Sequence, residues 1–346
     1  MEKTDIKSLT LPELTAFVEE LGEKGFRAKQ IFQWLHQKNI QDFDEMTTVS
    51  KAFRAILKEK AALSPVKIAQ KFQSALDNAT KYLFALENHT IIESVFMDYD
   101  YGQSVCISSQ AGCAMGCRFC ASAIGGLERN LTAGEMASQI YMIGTDQGKR
   151  ISHVVVMGCG EPLDNWDALL DFIAIINHKD GAHISQRHIT VSTCGLVDKM
   201  DALAERELQI TLAVSLHAPN DEIRRKLMPI ANKYSMDNLL AACRRYADKT
   251  KRRITFEYAL IDGVNDSKAC AAELAKRIGH MLCHVNLIPV NQIQERDYRQ
   301  SGRASVEVFA QILRQAGIET TVRRRLGNDI NAACGQLRKS YGYTND

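Results

Sequence analysis

Apolar positions fall into three successive regimes along the chain. In the first, Leu14, Phe17, Val18 and Leu21 share one helical face, and Thr10 and Glu13 stand at the spacing of a reciprocal N-terminal cap. Gly25 interrupts the pattern. Phe26, Ile31, Phe32 and Leu35 then form a second stripe, and a third helix is expected from Ser50, carrying Phe53, Ile56 and Leu57. Near Ser64-Pro65 the period changes from helical to alternating. Tyr82–Leu86 and Ile91–Met97 read as two antiparallel strands joined through Glu87-Asn88-His89. Glu93 lies in the second, where a carboxylate is expected on the solvent face of an edge strand. From Ser104 onward, apolar β-branched runs alternate with helical stretches. The strands are expected at Ser104–Ser108, Ile151–Met157, His188–Ser192, Gln209–Leu216, Ile254–Leu260 and His284–Pro289; among the helices are Trp166–Ile176, Met236–Ala247 and Cys270–Ile278. That order implies an α/β fold whose parallel sheet has crossover helices. The division is therefore residues 1–65 helical, 66–103 a β extension, and 104–346 the α/β body.

With 346 residues and 45% hydrophobic content, the chain is long enough for one large core and a smaller unit. No apolar run approaches a membrane span, so a cytosolic protein is expected. A net charge of +2 does not by itself announce a nucleic-acid partner. Basic residues are nevertheless clustered, at Arg244–Arg253, Arg224-Arg225-Lys226 and Arg323-Arg324-Arg325, and these runs are candidates for phosphate contact.

The ten cysteines are the informative residues. Cys113, Cys117 and Cys120 form a C-x3-C-x2-C triplet between a strand and a helix, and Thr132 and Glu135 cap that helix. A structural zinc site wants four ligands and usually a second knuckle, which is missing here. No secretory segment favours a disulfide framework, and an electron-transfer ferredoxin would need a fourth nearby cysteine. Three thiolates suit a four-iron cluster with one iron left open. Cys159, Cys194, Cys243, Cys270 and Cys283 read as small buried hydrophobes. Val105 and Ile107 share one strand face, so Cys106 points the other way, with Ser104 and Ser108, onto what reads as a polar face. Cys334 stands in a polar loop beside Gly335. A role for it as fourth cluster ligand is rejected, because it would close the open iron.

The triplet resembles the signature of the radical S-adenosylmethionine (SAM) enzymes. Together with Cys106-Ile-Ser-Ser-Gln-Ala-Gly-Cys113 and Asp329-Ile-Asn-Ala-Ala-Cys334-Gly-Gln, it resembles more narrowly the bacterial dual-specificity methyltransferases of adenosine C2 in 23S rRNA and tRNA. The resemblance implies a partial (β/α)6 radical SAM barrel, with a small N-terminal helical accessory domain that helps hold RNA and a short antiparallel β extension. It implies one [4Fe–4S] cluster on Cys113, Cys117 and Cys120, and a SAM pocket lined by Gly160, Glu161, Ser192, Ser215, Leu216, His217 and Asn291. Two SAM molecules per turnover are implied: one methylates Cys334, and the second starts the radical step that joins the methyl carbon to C2. Cys106 then takes the C2 proton and attacks the Cys334 sulfur, leaving a transient disulfide, while Glu93 is a residue proposed to handle a proton. The implied partners are 23S rRNA, tRNA and a reductant such as flavodoxin or ferredoxin, for a cytoplasmic monomer. A sister family that methylates C8 of the same rRNA adenosine shares the cysteine positions. Gly160-Glu161-Pro162 and Ile288-Pro289-Val290-Asn291 resemble the C2 group more closely.

Overall fold

A computed structural model describes residues 3–87, 89–293, 295–324 and 326–337. Asn88 of the expected turn and Arg325 of the third basic run lie outside the described residues. The chain opens with β1 (Thr4–Asp5), α1 (Leu11–Glu20), α2 (Phe26–His36), α3 (Lys51–Lys60) and β2 (Ala61–Ala62). The Thr10 amide donates to the Glu13 carboxylate at 2.8 Å, as the cap spacing requires. β1 pairs with β2 in parallel and closes this helical unit. Leu14, Val18, Ile31, Phe32, Leu35, Phe53 and Leu57 are buried, so the stripes form a core.

Three antiparallel strands follow: β3 (Lys67–Gln73), β4 (Ala79–Ala85) and β5 (Ile91–Tyr99). They lead into β6 (Gly102–Cys106) and the short pair β7 (Gln110–Gly112) and β8 (Leu127–Asn130), which brackets the cysteine triplet. The remaining elements are α4 (Ala133–Gln147), β9 (His153–Val156), α5 (Trp166–Asn177), β10 (Ile189–Thr193), α6 (Val197–Ala204), β11 (Thr211–Ser215), α7 (Asp221–Leu227), α8 (Met236–Thr250), β12 (Ile254–Leu260), α9 (Lys268–Ile278), β13 (Cys283–Pro289), α10 (Arg303–Gln315) and β14 (Glu319–Val322). All but β1, β2, β7 and β8 join one ten-stranded sheet in the order β14-β13-β12-β11-β10-β9-β6-β5-β4-β3.

Within this sheet every pairing from β6 to β14 is parallel, and each strand lies beside the one before it in the sheet's own chain order. Six parallel strands are expected from the apolar runs, and β14 adds a seventh at the edge. Its sequence, Glu-Thr-Thr-Val, carries almost no hydrophobic pattern. At the other end β3 was not anticipated, because its residues are mostly polar and half-exposed. β5 is hydrogen-bonded to β4 on one side and β6 on the other, so Glu93 is not on an edge. It is buried, and its carboxylate lies 3.7 Å from Lys81 Nζ.

The two faces of the parallel strands divide cleanly. Val105, Val154, Val191, Leu212, Val214, Phe256, Tyr258, Val285 and Leu287 join the main apolar core. The alternate residues, including Ser192, Ser215, Glu257 and Ile288, line one cavity. Strands stand about 4.8 Å apart, so β9 to β13 laid flat would cover about 20 Å. One cavity reached from all five requires the sheet to curve around it, as in an open barrel. The described residues include no helix long and apolar enough to cross a membrane.

Candidate active site

The cysteine triplet is held at the mouth of this curved sheet by backbone contacts. Cys113 N donates to Gly126 O at 3.1 Å, which ties the start of the loop to its end. Gly112 has φ +78°, and a Cβ there would lie 2.0 Å from Gly126 O, so no side chain fits. Farther along, Arg118 N donates to Leu227 O at the end of α7 (2.9 Å), and Ala121 N to Gly335 O (2.8 Å). Cys113, Cys117 and Cys120 consequently share the wall of the cavity. Burial pushes the Cys113 thiol up to about 12, with Cys120 and Glu161 adding to the effect. Burial, with its two sister thiols and Glu161 adding to it, likewise raises the Cys117 thiol well above its ordinary value. Among the described residues, no three His, Cys, Asp or Glu side chains are grouped to hold a single metal ion. Three thiols spread around one wall suit a cubic cluster, which takes each ligand at a different corner.

The expected SAM-binding residues divide by position. Gly160, Glu161, Ser192, Ser215, His217 and Asn291 line the same cavity as the three thiols. Leu216 does not: its side chain is wholly buried, and its amide donates to Glu257 O at 3.0 Å. Gly160 has φ +110°, and a Cβ there would meet Gln110 Cβ, Gln110 N and Ser109 Oγ at 2.7–2.8 Å. Glycine is required here by the crossing of two chain segments. Glu161 accepts from Cys194 N at 2.7 Å and from Leu163 N at 3.1 Å, so its carboxylate clamps the ends of β9 and β10 together. Burial raises its pKa, and these donors partly offset the rise.

His217 has φ +54° and accepts from Ala259 N through Nδ1 at 2.8 Å. A main-chain amide can only donate, so Nδ1 carries no proton and the neutral ring bears it on Nε2. Burial first, then Arg224, lowers the His217 pKa to about 3, which keeps the ring neutral. Asn291 Nδ2 donates to Cys334 O at 3.0 Å, while its Oδ1 is buried without a protein partner. That orphaned acceptor at the cavity wall, beside two serine hydroxyls, fits a ligand with hydroxyl or amino donors.

A second cavity adjoins the first. Cys106, Val95, Met97 and Tyr99 line it from β5 and β6, together with Arg324, Ala332 and Leu337. Met157, Ile288, Asn291, Arg323 and Cys334 line both cavities. Cys106 does face away from Val105 and Ile107, but its surroundings are apolar rather than polar: Ala79, Val95, Met97, Ala332 and Leu337 pack with it. Burial, and then Cys334, push its thiol up to about 12. Cys334 is raised by burial as well, while the Arg323 guanidinium opposes that rise and the Glu257 carboxylate adds to it. Asn286 Nδ2 holds Glu257 at 2.9 Å. Glu93 lines neither cavity.

Glu257 was not singled out from the sequence, and Arg323 only as part of a basic run, although both line the cavity that holds the triplet. Glu257 sits within Ile-Thr-Phe-Glu-Tyr-Ala-Leu, where alternation reads as a solvent-facing position, and the inward curve of the sheet reverses that meaning. The basic runs are likewise redistributed. Arg323 lines the cavities, Arg224 is fully buried, and much of Arg244–Arg253 is spent on ion pairs: Arg245 with Asp201 (2.8 Å), Lys249 with Glu205 and Arg253 with Glu319. Of the five cysteines read as packed thiols, Cys159, Cys194, Cys243 and Cys270 are buried and Cys283 is partly so. Cys194 also borders the triplet cavity.

Comparison with known proteins agrees with this geometry. Residues 4–63 match the ribosomal RNA large subunit methyltransferase N-terminal domain, and residues 107–274 match the radical SAM superfamily. The chain is 55% identical to a protein of Lachnoclostridium phytofermentans named "Probable dual-specificity RNA methyltransferase RlmN", over 98% of this chain and 96% of that one. It is 54% identical to a protein of the same name from Alkaliphilus oremlandii, over 99% of each. A crystal structure of a radical SAM methyltransferase from Sphaerobacter thermophilus superposes with a TM-score of 0.92 at 43% identity, covering 97% of this chain and 99% of that one.

Proposed function

The chain belongs to the RlmN family of dual-specificity radical SAM RNA methyltransferases, and from that premise we propose that it methylates C2 of adenosine in 23S rRNA and tRNA, with Cys334 as methyl carrier and Cys106 as the releasing thiol. The observation that carries this reading is the place of Cys334 in the walls of two adjoining cavities, one bearing the three clustered thiols and the other bearing Cys106. A methyl carrier must meet its donor on one side and be relieved of its product on the other.

Cys113, Cys117 and Cys120 would hold the cluster, and Gly160, Ser192, Ser215, His217 and Asn291 would surround SAM. When bound, these groups supply a transferable methyl and one-electron chemistry that an electron-poor ring carbon requires. The protein contributes thiols in defined states. Cys334 must lose its proton to act as a nucleophile, and the Arg323 guanidinium beside it favours that loss. Once methylated, Cys334 is a thioether that cannot carry charge. The repulsion that helps keep Cys106 protonated then disappears, while Arg323 still favours its thiolate. Methylation would thereby prepare Cys106 to accept the C2 proton and attack the Cys334 sulfur. Glu93, buried against Lys81 away from both cavities, would act on that proton only through intervening groups. Unstacking of the target base costs on the order of a few kcal/mol, which phosphate contacts must offset. We place the protein in the cytoplasm as a monomer, reduced by a flavodoxin or ferredoxin.

The test is Cys106→Ala with SAM, reductant and an RNA substrate. The variant should accumulate protein joined to RNA, seen as a band that survives denaturation and disappears with ribonuclease. Adding Cys334→Ala should abolish the band. Normal turnover of Cys106→Ala without any adduct would defeat the assignment, and methylation at C8 in the nucleoside digest would defeat the C2 reading.

A further inference from the structure

Arg224 heads the fully buried side chains of the described residues by size. Burying a guanidinium is costly unless an anion and hydrogen bonds compensate. Its hydrogen bonds go only to carbonyls: Nη2 donates to Cys194 O at 2.7 Å and Ser215 O at 3.3 Å, and Nε to Leu216 O at 3.3 Å. Nη1 is buried without a partner. Among the described residues no carboxylate forms an ion pair with it. Glu161, the nearby candidate, turns its carboxylate to the amide side of Cys194 while Arg224 takes the carbonyl side. Asp221, at the start of α7, attracts the cation without pairing with it, and its Oδ1 accepts instead from Met236 N at 2.8 Å.

What lies beside it is the cluster loop. Ile223 and Leu227, its neighbours on α7, pack in one apolar group with Met115, Cys117 and Phe119. Leu227 O also accepts from Arg118 N. Cys194 and, after it, Cys117 are the thiols whose charge Arg224 feels most. Arg224 is absent from the walls of both cavities.

We propose that Arg224 is the buried counter-charge of the iron–sulfur cluster, acting from behind Cys117 to raise its reduction potential. This rests on the cluster assignment above. A cluster on three thiolates is anionic, and gaining an electron makes it more so. A fixed cation in a poorly polarisable surround stabilises the reduced form more than the oxidised one. Arg224 is thus a positioning residue for charge; it touches no reacting atom.

The experiment compares wild type, Arg224→Lys and Arg224→Gln, each reconstituted with iron and sulfide without oxygen, by following reduced cluster through electron paramagnetic resonance at set potentials. Wild-type protein that holds no cluster would refute the cluster assignment rather than the role of Arg224. With the wild-type cluster present, Arg224→Gln should lower the reduced-to-oxidised ratio at a fixed potential at least tenfold, which is about 59 mV for one electron. Arg224→Lys should stay near wild type. Assembly of a cluster in the Lys variant but not in the Gln variant also supports the charge role. Equal potentials in wild type and Arg224→Gln, equal shifts in both variants, or loss of the cluster from both would overturn it and leave Arg224 as a clamp on strand ends.

Discussion

Gly160 illustrates how much of a site a single position can decide. Its left-handed backbone lets the chain turn from β9 past Ser109 and Gln110 while Glu161 N donates to Gln110 Oε1 at 2.8 Å. The Gly-Glu-Pro run was recognisable in the sequence, but the obstacle that forbids a side chain was not, because Gln110 is fifty residues away. Gly160→Ala should destabilise the fold by about 2–5 kcal/mol, from backbone strain and from overlap with those neighbours. Urea unfolding measures this, and an unchanged midpoint would mean that the segment yields freely. Glu257 escaped the sequence reading, and Arg323 was read there as a phosphate contact rather than a neighbour of Cys334, for a related reason. Each is a charged residue in an ordinary strand or basic context, and only curvature of the sheet turns it toward Cys334. The cysteine triplet was legible from its spacing alone, whereas Cys106 and Cys334 were named through the family resemblance.

At the scale of elements, the Cys334 loop depends on the antiparallel strands more than their position at the sheet edge suggests. Ser74 Oγ and Ala75 N, in the turn between β3 and β4, both donate to the Asp329 carboxylate at 2.8 Å. In return Gly327 N donates to Asp77 at 2.9 Å. The far end of the loop is fixed by Ser122 Oγ on Leu337 O (2.6 Å) and by Asn291 on Cys334 O. Tertiary contacts, with no helix or strand of its own, hold the loop, which explains why its motif was visible but its anchorage was not. Asp329→Ala should speed amide exchange across residues 326–337 with little change in global melting temperature. The donors hold the Asp329 carboxyl below its ordinary pKa. The clasp is therefore complete above the unfolded value of about 3.9 and is lost as pH falls through the lower folded value. Exchange in that loop as slow as in wild type would show that the clasp carries no weight.

Over the whole molecule, a helical unit is docked on a curved sheet, and the joint between them contains an ionisable residue that cannot easily ionise. The stripes of α1 to α3 and the alternation of strands and helices were readable, since both follow from periodicity. The joint was not, because His36 reads as an ordinary polar residue at the end of a helix. In the structure His36 is buried against Phe32, with ring centroids 4.4 Å apart, and its Nδ1 lies 3.1 Å from Tyr141 Oη on α4. Its Nε2 has no partner. Burial, with Lys7 and His178 adding to it, lowers the His36 pKa to about 3. The unfolded chain binds this proton below about 6.5 and the folded chain does so only near 3, so acid favours unfolding throughout that interval. Between pH 6.5 and 5 the penalty from one such residue is about 1.5 kcal/mol. His217 in the cavity, lowered to the same value, contributes a similar amount, so wild type should lose about 3 kcal/mol over that step from the two rings. His36→Phe keeps the aromatic packing and removes one titration. It leaves the Tyr141 hydroxyl without its partner at every pH, and for that reason the change in stability with pH is the quantity to read. Urea unfolding at pH 6.5 and pH 5 should show the variant losing about 1.5 kcal/mol less stability than wild type over that step. An equal loss in both proteins would mean that the joint opens enough to hydrate His36 before the fold gives way.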